Sequence, residues 1–143
     1  LARKQTLVLE IPDYIDPSDF TSIGRDVIEF IQKRAIDDNT GFNPASGRNK
    51  RFPKYSKAYA LKKGTSEGNV DLVLSADMFS AMDVTKVQPR ARRVEIGFTD
   101  ATENAKAEGN QLGSYGRDPD PKKARYFMGI SKSDLNAILD KYK

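Results

Sequence analysis

The sequence predicts an α+β protein: a small antiparallel β-sheet packed by a long N-terminal helix and a C-terminal helix, with long loops. Three observations carry this. Residues 94–98, Val-Glu-Ile-Gly-Phe, alternate apolar and polar after the turn Gln88-Pro89-Arg90-Ala91-Arg92-Arg93, so Val94, Ile96 and Phe98 face one side of a sheet. Phe20, Ile23, Val27, Phe30 and Ile31 recur at helical spacing, with Arg25, Asp26, Glu29 and Lys33 on the other face. Residues 39–53 and 109–123 are rich in Gly and Pro and carry neither period.

The elements follow in order. Residues 5–11 (QTLVLEI) form the first strand, closed by Pro12 and Asp13. Asp16 caps a helix over 17–37, with Pro17 at the first helical position, where a missing N–H costs nothing. Residues 39–53 are expected to be a structureless loop, a length that usually signals function or disorder. Tyr55 and Tyr59 share a stripe of a helix over 55–63 that stops at Gly64. Leu72, Val73 and Leu74 are a β-prone lead-in. Ser75 caps a short helix with Asp77 at its positive end and Met78, Phe79 and Met82 inward. Strands at 83–88 and 94–98 make a hairpin. A helix over 99–108, capped by Thr99 or Asp100, is expected to close at Gly109. A fourth strand is expected at 124–128, and Ser131-x-x-Asp134 opens the last helix, whose stripe is Leu135, Ile138, Leu139 and Tyr142.

Composition narrows the chemistry. At 143 residues the chain is expected to be a single domain, 1–143, able to bury about 68–70% of its unfolded surface. With no Cys and no His it lacks disulfides, thiolates, the usual general base and nearly all zinc-site ligands. No cofactor or metal is expected. The net charge of +4 sets 24 basic against 20 acidic residues, a mixed surface with basic groups in three loops. No apolar run nears the roughly 20 residues that span a bilayer, and no signal-peptide core opens the sequence, so a soluble protein without membrane partners is expected.

Site-like patterns are weak. Asp13, Asp16 and Asp19 are explained by a turn and a cap rather than a pair of catalytic acids. Asp37-Asp38-Asn39 lacks the glycine and closing Glu of a calcium loop. The glycines at 109, 113 and 116 do not follow a strand and no GK[ST] occurs, which disfavours phosphate cradling. Ser56-Lys57 is a serine–lysine pair whose adjacent spacing turns the side chains apart. Three basic clusters remain: Arg48, Lys50, Arg51 and Lys54; Lys86, Arg90, Arg92 and Arg93; Lys122, Lys123 and Arg125. Each is either a solvated loop or a contact with a negatively charged protein or DNA backbone. Phe42, Phe52, Tyr115, Tyr126 and Phe127 lie in or beside the long loops, and aromatics next to Arg are enriched at interfaces.

Five separated motifs point further. They are Gly41-Phe42-Asn43-Pro44 with Tyr55-Ser56-Lys57-x-Tyr59-Ala60-x-x-Lys63; Leu72-x-Leu74-Ser75-Ala76-Asp77-Met78-x-x-Ala81-Met82-x-Val84; Val94-x-Ile96-Gly97-Phe98; Ala107-x-Gly109-Asn110-Gln111-x-Gly113; and Arg125-Tyr126-Phe127-Met128-Gly129-Ile130-Ser131. In this order the sequence resembles the virion-morphogenesis or tail-completion proteins of tailed bacteriophages, the small head–tail joining proteins of the neck. Members commonly carry Gly where Ala76 stands, and His where Asn110 stands before the Gln.

The resemblance implies a structural virion protein of the tail-completion or tail-terminator kind rather than an enzyme. It implies a homo-oligomeric ring, six-fold favoured and twelve-fold also known. The ring joins the head connector or adaptor to tail proteins, with genomic DNA passing non-specifically through its bore. The implied location is the virion neck or tail, after assembly in the host cytoplasm. On that reading Phe42, Arg48, Arg51, Phe52, Asn110, Gln111 and Tyr115 are expected at the subunit or partner interface. Lys86, Arg90, Arg92 and Arg93 are expected to face the DNA channel or the adjacent ring. The rival expectations are a monomeric nucleic-acid-binding protein using its basic loops, and a histidine-free hydrolase working through Glu95 or Glu108.

Overall fold

The computed structural model describes residues 3–53, 76–114 and 118–143. The expected helix at 55–63, the lead-in at 72–74, the Ser75 cap, the Ser56–Lys57 pair, Lys54 and Tyr115 lie outside the described residues.

The α+β arrangement is an antiparallel sheet of three strands in the order β1-β5-β4, with a separate two-stranded hairpin β2-β3. The strands are β1 Leu7–Glu10, β2 Thr40–Asn43, β3 Arg48–Arg51, β4 Met82–Gln88 and β5 Arg93–Phe98. The helices are α1 Phe20–Asp38, α2 Ala76–Ser80, α3 Ala101–Leu112 and α4 Lys132–Leu139. Val94, Ile96 and Phe98 are buried, as period-two alternation requires, and Ile96 pairs with both Leu7 and Val84. Between Val84 and Lys86 the ladder slips, and Thr85 bulges from β4.

Asp16 accepts from the Ser18 amide at 2.9 Å and opens a 3-10 turn over Pro17–Asp19 that leads into α1. The predicted stripe is the core: Phe20, Ile23, Val27 and Ile31 are fully buried, and α1 lies across β4 and β5. Asn39, at φ 50, ends the helix in the left-handed conformation. Met78 and Phe79 complete the core, with the Phe79 ring edge-on to Phe127 at 5.2 Å.

Three expectations are corrected. Residues 39–53 are not a structureless loop, because Thr40–Asn43 pairs in register with Arg48–Arg51. The helix expected to stop at Gly109 runs on to Leu112 and is closed by Gly113 at φ 67. A mid-helix glycine costs only about 1 kcal/mol, and the buried amides of Asn110 and Gln111 just beyond it are anchored by hydrogen bonds. No strand forms at 124–128. The Phe127 and Gly129 carbonyls are taken by the Arg34 guanidinium at 2.8 and 2.9 Å instead of by a ladder. The last helix is capped as expected, with the Asp134 amide donating to the Ser131 hydroxyl at 3.2 Å.

Candidate docking groove

Both segments expected to carry the interface meet at one place. The hairpin is seated on the 124–130 segment by the Phe42 amide, which donates to the Tyr126 carbonyl at 2.9 Å. The seat is close: a Cβ on Gly41 would collide with the Tyr126 carbonyl and the Phe52 ring, and one on Gly129 with the Phe42 ring. Below it, the Arg125 amide donates to the Asn110 carbonyl at 2.6 Å, and the Met128 amide to the Gln111 side-chain oxygen at 2.9 Å. Three of the five motifs, those at residues 41–44, 107–113 and 125–131, thus build one seam.

Above the seam opens a groove of about 400 Å³. Phe42, Pro44, Phe52 and Pro53 form the hairpin wall; Leu112, Pro119, Pro121, Ala124 and Tyr126 form the other. Lys50 and Arg51 stand on the rim. Arg48, Lys50 and Arg51 are exposed and form no ion pair among the described residues. An apolar trough with free cations beside it can accept an apolar or aromatic side chain that has a carboxylate nearby.

The predicted interface residues divide. Phe42 is half-buried and lines the groove, and Arg48 and Arg51 are exposed. Phe52, Asn110 and Gln111 are buried to 7%, 5% and 5% exposure, Phe52 and Gln111 lining the floor and wall of the groove and Asn110 lying beneath it. Asn110 donates to the Lys106 carbonyl at 3.0 Å, and the Gln111 amide reaches the Gln5 side chain. The signal for this lay in the sequence, since both follow Ala107 on the buried stripe of α3.

The cations expected at the β4–β5 turn divide likewise. Lys86, Arg90 and Arg93 are exposed, with Arg93 3.9 Å from Glu10. Arg92 is turned inward. At φ 55 it closes the turn, its amide donating to the Pro89 carbonyl at 3.2 Å. Its guanidinium donates to the carbonyls of Ile11, Pro12 and Ile15 and lies 5.1 Å over the Phe20 ring. With Asp13 3.7 Å away as well, its donors are engaged within the chain.

Arg34 went unnoticed in the sequence. It is 4% exposed, and besides the two carbonyls it donates to Asn49 of the hairpin at 3.2 Å, with Phe30 at 5.4 Å under its guanidinium. Asn49 passes the link to Asp134 at 3.2 Å. Burial lowers the guanidinium to about 10 while the Asp134 charge works the other way, so it stays protonated at neutral pH. Its spacing after Ile23, Val27 and Ile31 was the available signal: an arginine on the buried face of a helix needs acceptors.

Of the acids considered for hydrolysis, Glu95 accepts from the Thr85 hydroxyl at 2.7 Å, a bond that holds its carboxyl below the usual range, opposite to what a proton donor needs. Glu108 accepts from the Arg3 amide at 2.7 Å. Among the described residues no group of three or more acidic side chains could hold a metal ion, and no helix is long and apolar enough to cross a membrane. No family model, curated protein or solved structure matches the chain.

Proposed function

We propose that this chain is a structural assembly subunit, a ring-forming protein of the tailed-bacteriophage neck that joins the head connector to the tail around the DNA channel. One observation carries the reading. The segments at 39–53 and 109–123, which the resemblance assigns to the interface, both contribute walls to a single apolar groove whose rim cations form no ion pair among the described residues. A groove of this composition suits protein contact better than catalysis, because its lining offers rings and prolines and few polar atoms to a reacting group. In a closed ring such a surface meets a different surface of the neighbour, a heterologous contact, and a stable contact buries something like 1,600 Å².

The mass of the purified protein across a concentration series tests this. Closed species of one defined order are expected, six-fold or twelve-fold. A monomer at the highest soluble concentration overturns the reading. The exposed cations along β3 favour a second reading, a monomer that binds nucleic acid through its phosphates. That protein would instead bind DNA with an affinity falling steeply as salt rises.

A further inference from the structure

We infer that the groove receives the turn at residues 12–16 of a second copy of this chain, with Tyr14 as the inserted side chain and Asp13 against Lys50 and Arg51. The inference deepens the assembly reading and rests on it. The groove asks for an aromatic side chain with a neighbouring carboxylate, and the chain carries that pairing itself. Tyr14 is 55% exposed, the largest exposed aromatic among the described residues, and the Asp13 side chain beside it is fully exposed, with Arg92 of its own chain 3.7 Å from one carboxylate oxygen and the rest of the group open to solvent. Asp16 and the partly exposed Asp19 extend the negative charge. The opposite sign stands on the groove rim, so the two surfaces are complementary in charge as well as in polarity.

The turn is also held ready. Arg92 gathers the carbonyls on either side of Tyr14, and Ile15 is buried at 1% exposure as the anchor of the same turn. A side chain presented on a fixed backbone loses little freedom on binding. Among the described residues the Lys143 ammonium lies 5.5 Å over the Tyr14 ring.

One molecule cannot close this contact on itself. Residues 12–16 precede the N-terminal end of α1, and the hairpin begins just after its C-terminal end. The 19 residues of that helix hold the two about 28 Å apart. The contact therefore joins two copies, and repeated in one sense from copy to copy it is the head-to-tail geometry that closes rings, whereas a two-fold pair would make it twice. A tyrosine buries about 150–250 Å², so Tyr14 anchors the interface and flanking surface supplies the rest.

A charge exchange tests the pairing. Asp13→Arg and Arg51→Asp are each expected to weaken self-association about tenfold, because each places like charges together. The two substitutions in one chain are expected to restore it, since position 13 of every copy meets position 51 of the next. Tyr14→Ala should weaken assembly without rescue. All three positions are exposed, and unchanged thermal unfolding checks that the fold is intact. A wild type that assembles while the single variants assemble equally well, or while the exchange fails to rescue, overturns this docking and leaves the assembly reading standing; a foreign occupant of the groove would give the same indifference. A wild type that stays monomeric overturns both.

Discussion

The two ends of α1 solve the same problem with the same residue and leave opposite surfaces. At the C-terminal end Arg34 lies over Phe30 and holds the carbonyls of Phe127 and Gly129. At the N-terminal end Arg92 lies over Phe20 and holds the carbonyls of Ile11, Pro12 and Ile15. Each arginine fixes an irregular segment that has no ladder to satisfy its main chain, and five donors in a planar fork suit that work. The difference lies in burial and in what surrounds them. Arg34 is sealed under a cationic hairpin, whereas the Arg92 side chain keeps 24% exposure beside the acidic turn of Asp13. Irregular chain can thus be held as firmly as a strand, and its outer face is left free to carry charge of either sign.

The comparison can be broken at its strongest point first. Arg34→Ala strands the buried Gly129 carbonyl, leaves that of Phe127 with the Gly129 amide alone, and removes the side-chain link from the 127–129 segment to Asn49, and should cost about 2–4 kcal/mol in urea unfolding. Arg92→Ala unpairs the carbonyls of Ile11, Pro12 and Ile15 under a side chain that keeps 24% exposure, where water can enter in its place, and about 1–2 kcal/mol is expected by the same measurement. Equal losses at the two sites would mean that burial does not separate them. The smallest effect concerns pH. Near the turn end of α1, Tyr142 donates to Asp26, and that bond raises its phenol from 10.0 to about 12. The folded state holds this proton more tightly than the unfolded chain. The stability it contributes is complete below pH 10.0 and lost as the pH climbs to about 12. Tyr142→Phe should lower stability by the same small amount throughout the neutral range and remove the fall between pH 10.0 and about 12.

Much of the frame was legible because it depends on local period. The helical spacing of Phe20, Ile23, Val27 and Ile31 and the alternation of Val94, Ile96 and Phe98 each bury one face wherever the chain goes, and the caps at Asp16, Asp100 and Ser131 act within their own turns. The hairpin was not legible, since β3 reads Arg-Asn-Lys-Arg with every residue exposed and offers no apolar alternation. The fourth strand failed for the converse reason. Its sequence suits a strand, yet an arginine from 93 residues earlier takes the Phe127 carbonyl. For the expected contact residues, the sequence did not show which side of each loop faces inward. Phe52, Asn110, Gln111 and Arg92 turned in; Phe42, Arg48 and Arg51 remained available.

The Thr85 bulge bears on how copies can and cannot join. Among the described residues β1 and β4 are the outer strands of the sheet, and an unpaired outer strand is a template for adding another chain. The bulge bends β4 out of register with a straight incoming strand, and β1 offers only four residues. Growth by backbone addition, the route to fibrils, is thus discouraged at both margins of this sheet.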